Sequence, residues 1–246
     1  MKGTVGYGLV TGAASGIGLA TCRRLAEDGF HAVMVDRDEE RGRREAAVLE
    51  AAGLSAEFHH CDITDEAAVE RLIQSLPPLR ALVNCAGIFR EAPVFDLTAD
   101  DFRGIYEVNL IATFIVCRAA ARRMERGAKI VNIASRAALG ARFSAHYVAS
   151  KGAVISFTRA LALELLEKGI AVNAVGPGFI ATPMTRDLSP ERLKAQLALQ
   201  PTGNAGRPED VANAISFLVS PRTDFITGQV LLVDGGKSLG GVTAGA

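Results

Sequence analysis

A phenol and an amine stand four positions apart in the stretch AHYVASKGAV, at Tyr147 and Lys151. On a helix that spacing places both side chains on one face. An ammonium beside a phenol favours the phenolate and draws the tyrosine pKa down from its free value of about 10. A tyrosine tuned in this way can exchange a proton with an alcohol near neutral pH. Taken alone the pair also fits an ordinary exposed helix face, because Tyr-x-x-x-Lys arises by chance.

A second chemical feature lies near the N-terminus. The run YGLVTGAASGIGLA places Gly12, Gly16 and Gly18 where a strand passes into a helix. Gly12 permits a tight turn, Gly16 lets the backbone approach a phosphate, and Gly18 allows close helix–strand packing. The helix N-terminus then offers free N–H groups and a positive dipole end to a pyrophosphate. Asp36 closes the next apolar run, about 20 residues further on, where a carboxylate binds the adenosine ribose 2′-hydroxyl. A 2′-phosphate would meet a like charge there. Two charges ~4 Å apart near a protein surface interact by about 4 kcal/mol, and a fraction of that gives a tenfold preference. Arg37 could partly neutralise a phosphate, but Ala13, Ala14 and Ser15 supply no second cation. NAD is therefore the expected cofactor, with NADP as the second choice.

These residues must be held by a scaffold, and the pattern predicts one. Apolar runs rich in Val, Ile and Leu end near Thr11, at Asp36, at Asp62, near Asn84 and at Ser135; two more begin at Ile170 and Gln229. They barely alternate, as expected for strands buried on both faces of a parallel sheet. Helical stretches separate them, with starts at Thr64-Asp65-Glu66, Thr98 to Asp101 and Ser189-Pro190-Glu191. The alternation predicts an α/β fold: a single Rossmann-type domain over residues 1–246, a doubly wound parallel sheet with helices on both faces. Ligands in such folds sit beyond the carboxyl ends of the strands, where most of the polar residues above fall.

The bulk properties exclude several other classes. Lys and Arg total 27, as do Asp and Glu, so the net charge is zero and no nucleic-acid or anionic-membrane partner is expected. No uninterrupted apolar run reaches the ~18–20 residues of a membrane helix. The start shows no signal-peptide pattern, and a cytoplasmic location is expected. Cys22, Cys61, Cys85 and Cys117 sit in apolar neighbourhoods and are expected in the core. His59 and His60 are adjacent on a strand and point to opposite faces, so no metal site is expected.

Together the motifs resemble the short-chain dehydrogenase/reductase family over essentially the whole chain. The resemblance rests on TGAASGIG (11–18), Cys61-Asp62, NCAG (84–87), Val108-Asn109, IAS ending at Ser135, YVASK (147–151) and NAVGPGFIATPM (173–184). It implies that Tyr147 donates and accepts the proton. Lys151 would lower its pKa and bind the nicotinamide ribose, Ser135 would orient the substrate oxygen, and Asn109 would hold a water linking Lys151 to solvent. Asp62 would contact adenine, and Asn84, Ala86 and Gly87 would line the cofactor. Pro177, Gly178 and Thr182 would face the nicotinamide, and Ser15, Ile17, Ile63 and Ile180 complete the expected cofactor contacts. In isolation Ser135, Asn109 and Asp62 each have a bland reading as helix or turn caps.

The implied reaction interconverts a secondary alcohol and a ketone by hydride transfer. Candidate substrate residues are Arg90, Arg136, Arg142, Phe143, His146, Phe179 and Met184; the arginines could bind a carboxylate or simply be solvated. Local features resemble 2,3-dihydro-2,3-dihydroxybenzoate dehydrogenases, and a second relative is 3-oxoacyl-carrier-protein reductase, which would use NADPH. A nucleotide-binding regulatory protein is the non-enzymatic alternative, although such a protein need not keep the full Asn109, Ser135, Tyr147 and Lys151 set. Helices expected around Asn109–Arg126 and Tyr147–Lys168 are more apolar than one core-facing stripe requires, and with QVLLVDGG (229–236) they point to a homotetramer.

Overall fold

A computed structural model describes residues 5–186 and 188–240. Seven strands form one parallel sheet in the order β3-β2-β1-β4-β5-β6-β7. They are β1 (Gly6–Thr11), β2 (Phe30–Asp36), β3 (Ala56–His60), β4 (Leu79–Asn84), β5 (Lys129–Ile133), β6 (Ala171–Pro177) and β7 (Val230–Val233). All seven match the apolar runs of the sequence. The helices are α1 (Gly16–Glu27), α2 (Glu39–Ala51), α3 (Glu66–Ser75), α4 (Ala99–Tyr106), α5 (Ala112–Arg123) and α6 (Ala145–Glu164). After them come α7 (Pro183–Arg186), α8 (Pro190–Ala198) and α9 (Pro208–Val219).

The central strands lack polar alternation because they bury both faces, whereas the edge strands β3 and β7 are partly exposed. Leu9, Leu82, Ile130 and Val172 pack with Val69 of α3, Val116 of α5 and Leu161 of α6. Their neighbours Val10, Val83, Val131 and Val175 pack on the other face with Leu25 of α1, Leu49 of α2 and Ile215 of α9. Full burial of each such side chain contributes roughly 1.5–3 kcal/mol. Strand order reverses between β1 and β4, which opens a crevice beyond their carboxyl ends. The fold is the doubly wound Rossmann type.

The three expected helix starts are present. Asp65 accepts the Ala68 N–H at α3, Thr98 and Asp101 bond reciprocally at α4, and Ser189 accepts the Arg192 N–H at α8. The helix ends differ from expectation. The fifth helix stops at Arg123 because Met124 is extended, and the sixth stops at Glu164, ahead of a turn through Gly169 at φ 66°. Between α4 and α5, residues Glu107–Ile111 form a π turn, in which the Ala112 N–H donates to the Glu107 carbonyl five residues back. The combined 25-residue helix Ala99–Arg123 is long and apolar enough to cross a membrane by length and composition. Counting uninterrupted apolar residues misses it, since Asp100, Asp101, Arg103 and Glu107 break the run. Its residues Ala112, Val116, Ala119 and Ala120 are packed in the core.

Candidate active site

Tyr147, Ser135 and Lys151 converge on one cavity of about 690 Å³, whose wall also includes the glycine turn, Asp36 and Asp62. Tyr147 lies in the first turn of α6, which Ser144 precedes, and its ring meets Phe89 edge-on at 4.9 Å between centroids. Lys151 stands one turn further along, 4% exposed, and its Nζ donates to the Ile133 carbonyl at 2.7 Å.

The electrostatics of the pair differ from the sequence expectation. Burial pushes the Tyr147 phenol above its ordinary pKa, and the Ser135 hydroxyl pulls it partly back. Burial likewise brings the Lys151 ammonium down to about 8. The Lys151 Nζ is 5.9 Å from the phenol ring centroid and is engaged by the Ile133 carbonyl, so loss of water outweighs its field at the tyrosine.

Ser135 ends the segment after β5. Its Oγ accepts the Ala137 N–H at 3.0 Å, which caps the short 3₁₀ turn Arg136–Leu139 and leaves the hydroxyl hydrogen free. The capping reading of Ser135 and its placement in the cavity are thus both correct. Asn109 does not line the cavity; it sits behind it in the π turn and is 1% exposed. Its Oδ1 accepts the Ile88 N–H at 2.8 Å, and its Nδ2 donates to the Ile88 carbonyl and the Ser150 Oγ, each at 3.1 Å. Ser150 Oγ in turn donates to the Tyr147 carbonyl at 2.8 Å. Asn109 therefore braces the segment after β4 against the first turns of α6, which carry Tyr147.

The glycine turn fits a dinucleotide. Gly12 adopts φ 66°, and a Cβ there would stand 2.8 Å from the Ala86 Cα. A Cβ on Gly18 would stand 2.1 Å from the Gly12 carbonyl oxygen, and Gly16 holds φ 54°. Ser15 makes no side-chain cap at α1, so the first N–H groups remain open to the cavity. Asp36 accepts the Ala14 N–H on one oxygen and the Asp38 N–H on the other, both at 3.0 Å. Asp62 accepts from the Thr64 N–H and hydroxyl, which hold its carboxyl below the usual range. Ser15, Ile17, Arg37, Ile63, Ala86, Gly87, Pro177, Gly178, Ile180 and Thr182 all line the same cavity. These residues could hold a nicotinamide dinucleotide with its pyrophosphate at α1.

Several expectations need correction. Asn84 does not line the cavity: it is 3% exposed and donates to Asn132 Oδ1 at 2.9 Å and Cys117 Sγ at 3.2 Å, within the sheet–helix interior. Strand alternation turns it inward, and its successors Cys85, Ala86 and Gly87 form the wall. Cys85 is half-buried, packed against the core and lining the cavity, and Cys22, Cys61 and Cys117 are buried. Of the substrate candidates whose side chains the structure describes, only Phe179 lines the cavity. Arg90 is exposed, and Arg142 is exposed and stacked on the Phe143 ring at 5.2 Å. His146 is 1% exposed and faces Phe102 at 5.9 Å, because its helix phase turns it away from Tyr147. Arg136 is half-buried and donates to the Gly140 carbonyl. The Met184 side chain lies outside what the structure describes. Among the described residues, no three His, Cys, Asp or Glu side chains gather as a metal site would require.

Sequence reasoning missed Arg41, Phe89 and Glu107. Arg41 and Glu107 line the cavity, and Phe89 stands edge-on to the Tyr147 phenol. Arg41 lies in the first turn of α2, just after the segment that carries Asp36 and Arg37.

Known proteins resemble this arrangement throughout. A family model described as Enoyl-(Acyl carrier protein) reductase matches residues 12–238. A cyclopentanol dehydrogenase of Comamonas testosteroni is 41% identical over 237 residues, covering 93% of this chain and 95% of the relative. A 3-oxoacyl-[acyl-carrier-protein] reductase of Thermotoga maritima is 38% identical over 237 residues, covering 93% and 96%. The crystal structure of a short chain dehydrogenase from Burkholderia cenocepacia in complex with NADP superposes with a TM-score of 0.89 at 35% identity, covering 95% of this chain and 98% of the other. The chain belongs to the short-chain dehydrogenase/reductase family, whose members are oxidoreductases that bind a nicotinamide cofactor.

Proposed function

We propose that the protein interconverts a secondary alcohol and a ketone with NAD(H), using Tyr147 as the general acid and base. The observation that carries this reading is the convergence of Ser135, Tyr147 and Lys151 on the glycine-cradled cavity. The bound nicotinamide supplies or accepts the hydride. The Ser135 hydroxyl, with its hydrogen free, orients the substrate oxygen. Tyr147 gives its proton to that oxygen during ketone reduction and takes it back during alcohol oxidation. Its raised pKa keeps the phenol protonated at neutral pH, the form a ketone requires. Lys151 holds a proton that titrates near 8 and binds the ribose, and Asn109 steadies both helix and strand while offering its remaining oxygen lone pair to a water.

Asp36 supports NAD over NADP by its charge at the ribose end of the cavity. We place the protein in the cytoplasm. A homotetramer is supported by two surfaces. Ile111 and Phe114 at the start of α5 and Leu163 and Leu166 at the end of α6 remain exposed, and Leu231 is 40% exposed on β7 at the sheet edge. Light scattering with size exclusion tests this, and a mass near 25.9 kDa would refute it.

The deciding assay is a panel of secondary alcohols, diols, hydroxy acids and oxoacyl thioesters with NAD and NADP. Turnover of at least one class is expected, with NAD favoured about tenfold in kcat/KM. A preference for NADPH with oxoacyl thioesters would favour the carrier-protein reductase reading. NADH binding without turnover of any class would favour a regulatory nucleotide-binding protein.

A further inference from the structure

The charged and the apolar walls of the cavity stand on different strands. Asp36 closes β2, and Arg37, Asp38 and Arg41 follow it onto the lining, as Asp62 does after β3. Ser135 follows β5, and Phe179 and Ile180 follow β6. The sheet order puts β1 and β4 between β2 and β5, so the charged wall stands three inter-strand steps, about 14 Å, from the strand that carries Ser135. Two further charges line the cavity. Glu107 of the π turn is anionic, and Lys151 gives its Nζ to the Ile133 carbonyl at 2.7 Å and has the ribose as its proposed partner.

Among the described residues, no other cation lines the catalytic end. Arg90 and Arg142 are exposed, and Arg136 donates to the Gly140 carbonyl; all three stand outside the lining. Arg192 is paired with Glu91 in an exposed ion pair. The Arg186 side chain lies outside what the structure describes. What stands beside the phenol is hydrocarbon. The Phe89 ring meets Tyr147 edge-on at 4.9 Å between centroids and is still 37% exposed. Ile88 before it lines the cavity, as does Phe179, and both are half-buried. The Thr185 hydroxyl on the same wall is held in its own turn: it donates to the Thr182 carbonyl at 2.9 Å and accepts the Thr182 N–H at 3.0 Å.

We propose that the substrate is an uncharged ketone or secondary alcohol whose hydrocarbon skeleton packs against Ile88, Phe89 and Phe179, and that hydroxy acids and oxo acids are rejected. The inference rests on the proposed alcohol–ketone chemistry and adds its substrate class. Apolar surface left open on those three side chains is favourably covered by hydrocarbon. A carboxylate drawn to the same place loses its water without a described cation to receive it, and it meets the Glu107 charge in the same cavity. The Ser135 and Tyr147 hydroxyls serve the reacting oxygen and leave no second donor pair for an anion.

The test is a binding series on the full chain. The ketones 2-pentanone, 2-hexanone and 2-heptanone are compared with 4-oxopentanoate, 5-oxohexanoate and 6-oxoheptanoate, in which a carboxylate replaces the terminal methyl group. Each is titrated calorimetrically, with and without NAD, which has no hydride to give a ketone, so binding is read without turnover. Wild type is expected to bind each ketone about tenfold or more tightly than its acid. Affinity should rise roughly fourfold per methylene along the ketone series. In Phe89→Ala and Phe179→Ala that gain per methylene should shrink, with NAD affinity as the check on folding. The gain is a ratio within one protein, so partial unfolding does not imitate the change. An acid bound as tightly as its ketone, failure of every ketone to bind, or affinity that does not rise with chain length overturns the substrate class. A gain unmoved in both folded variants overturns the placement against Phe89 and Phe179. If a variant fails to bind NAD, the wild-type ratios still decide the class. Absence of turnover of every alcohol and ketone with either cofactor would sink the alcohol–ketone chemistry instead, a result these titrations do not depend on.

Discussion

The cofactor side and the substrate side of the same cavity are built differently. Around the cofactor, the wall is mostly backbone: Gly12, Gly16 and Gly18 leave no room for other residues or take positive φ, and Asp36 ties the ends of two strands to the turn. Between Ser135 and Tyr147 and after β4, outside the cavity lining, side chains stand exposed on short segments. Leu139 is 65% exposed, Phe143 is 53% exposed with φ 58°, and Arg192 of α8 reaches Glu91 in an exposed ion pair. The first side fixes one ligand by geometry that few sequences satisfy. The second can be altered by substitution without disturbing a strand, which places substrate choice in the turns and cofactor binding in the scaffold.

That contrast fails if chemistry is as tolerant as those segments. Tyr147→Phe should lower kcat by on the order of 10²–10⁴-fold while NADH affinity stays essentially unchanged, because the hydroxyl serves proton transfer. Near-normal kcat in that variant would remove Tyr147 from the mechanism.

The next largest effect concerns the buried amine. Lys151 titrates at about 8 in the folded chain against 10.5 for the free group. Below pH 8 both folded and unfolded states carry the proton, and folding bears the full desolvation cost. Between about 8 and 10.5 the unfolded state binds more protons, so stability rises with pH, by about 3 kcal/mol at roughly 1.4 kcal/mol per pKa unit. Urea unfolding of the cofactor-free protein, compared with Lys151→Met, should show wild type gaining stability over that window relative to the variant. Parallel curves would mean that Lys151 is better solvated than its 4% exposure implies.

A smaller change is expected at the ribose end. Asp36→Ala removes a like charge facing any 2′-phosphate and should shift the NADPH-to-NADH affinity ratio about tenfold toward NADPH. A wild type that already binds NADPH more tightly would show that Arg37 and Arg41 dominate there.

The smallest effect belongs to the exposed segments. A non-glycine residue in the left-handed region costs roughly 1–2 kcal/mol, and asparagine tolerates it better. Phe143→Asn should therefore raise stability by up to about 1 kcal/mol in thermal unfolding. A clear loss would show that the ring stacked under Arg142 contributes more by packing than its conformation costs.

The same division explains what could be read from the sequence. The strands, the sheet type and the glycine turn were legible because each follows from local demands: buried apolar runs, helix caps and positions where a Cβ cannot stand. Tyr147 and Lys151 stood out by their spacing and Ser135 through the family resemblance, and the fold brings all three to one cavity. Asn84 was misplaced because its motif marks the wall, while strand alternation aims that one side chain inward to Asn132. His146 was misplaced because adjacency to Tyr147 in sequence is a turn of about 100° on a helix. The tyrosine pKa had the wrong sign, since spacing reveals the nearby lysine but not the loss of water or the Ile133 carbonyl that engages the amine.

The π turn at Glu107–Ile111 has a consequence for the lengths of chain this molecule can tolerate. A π turn is an α-helical turn with one residue inserted. Deleting any single residue there would restore the regular repeat and swing α4 by about 100° relative to α5. The Asn109 amide could then no longer reach both Ile88 and Ser150, and the face of α4 that meets α6 would turn away. Substitutions within those five positions leave this phase intact, whereas a change in their number resets it. The segment works as a fixed count between two helices, and its length is under tighter control than most of its letters.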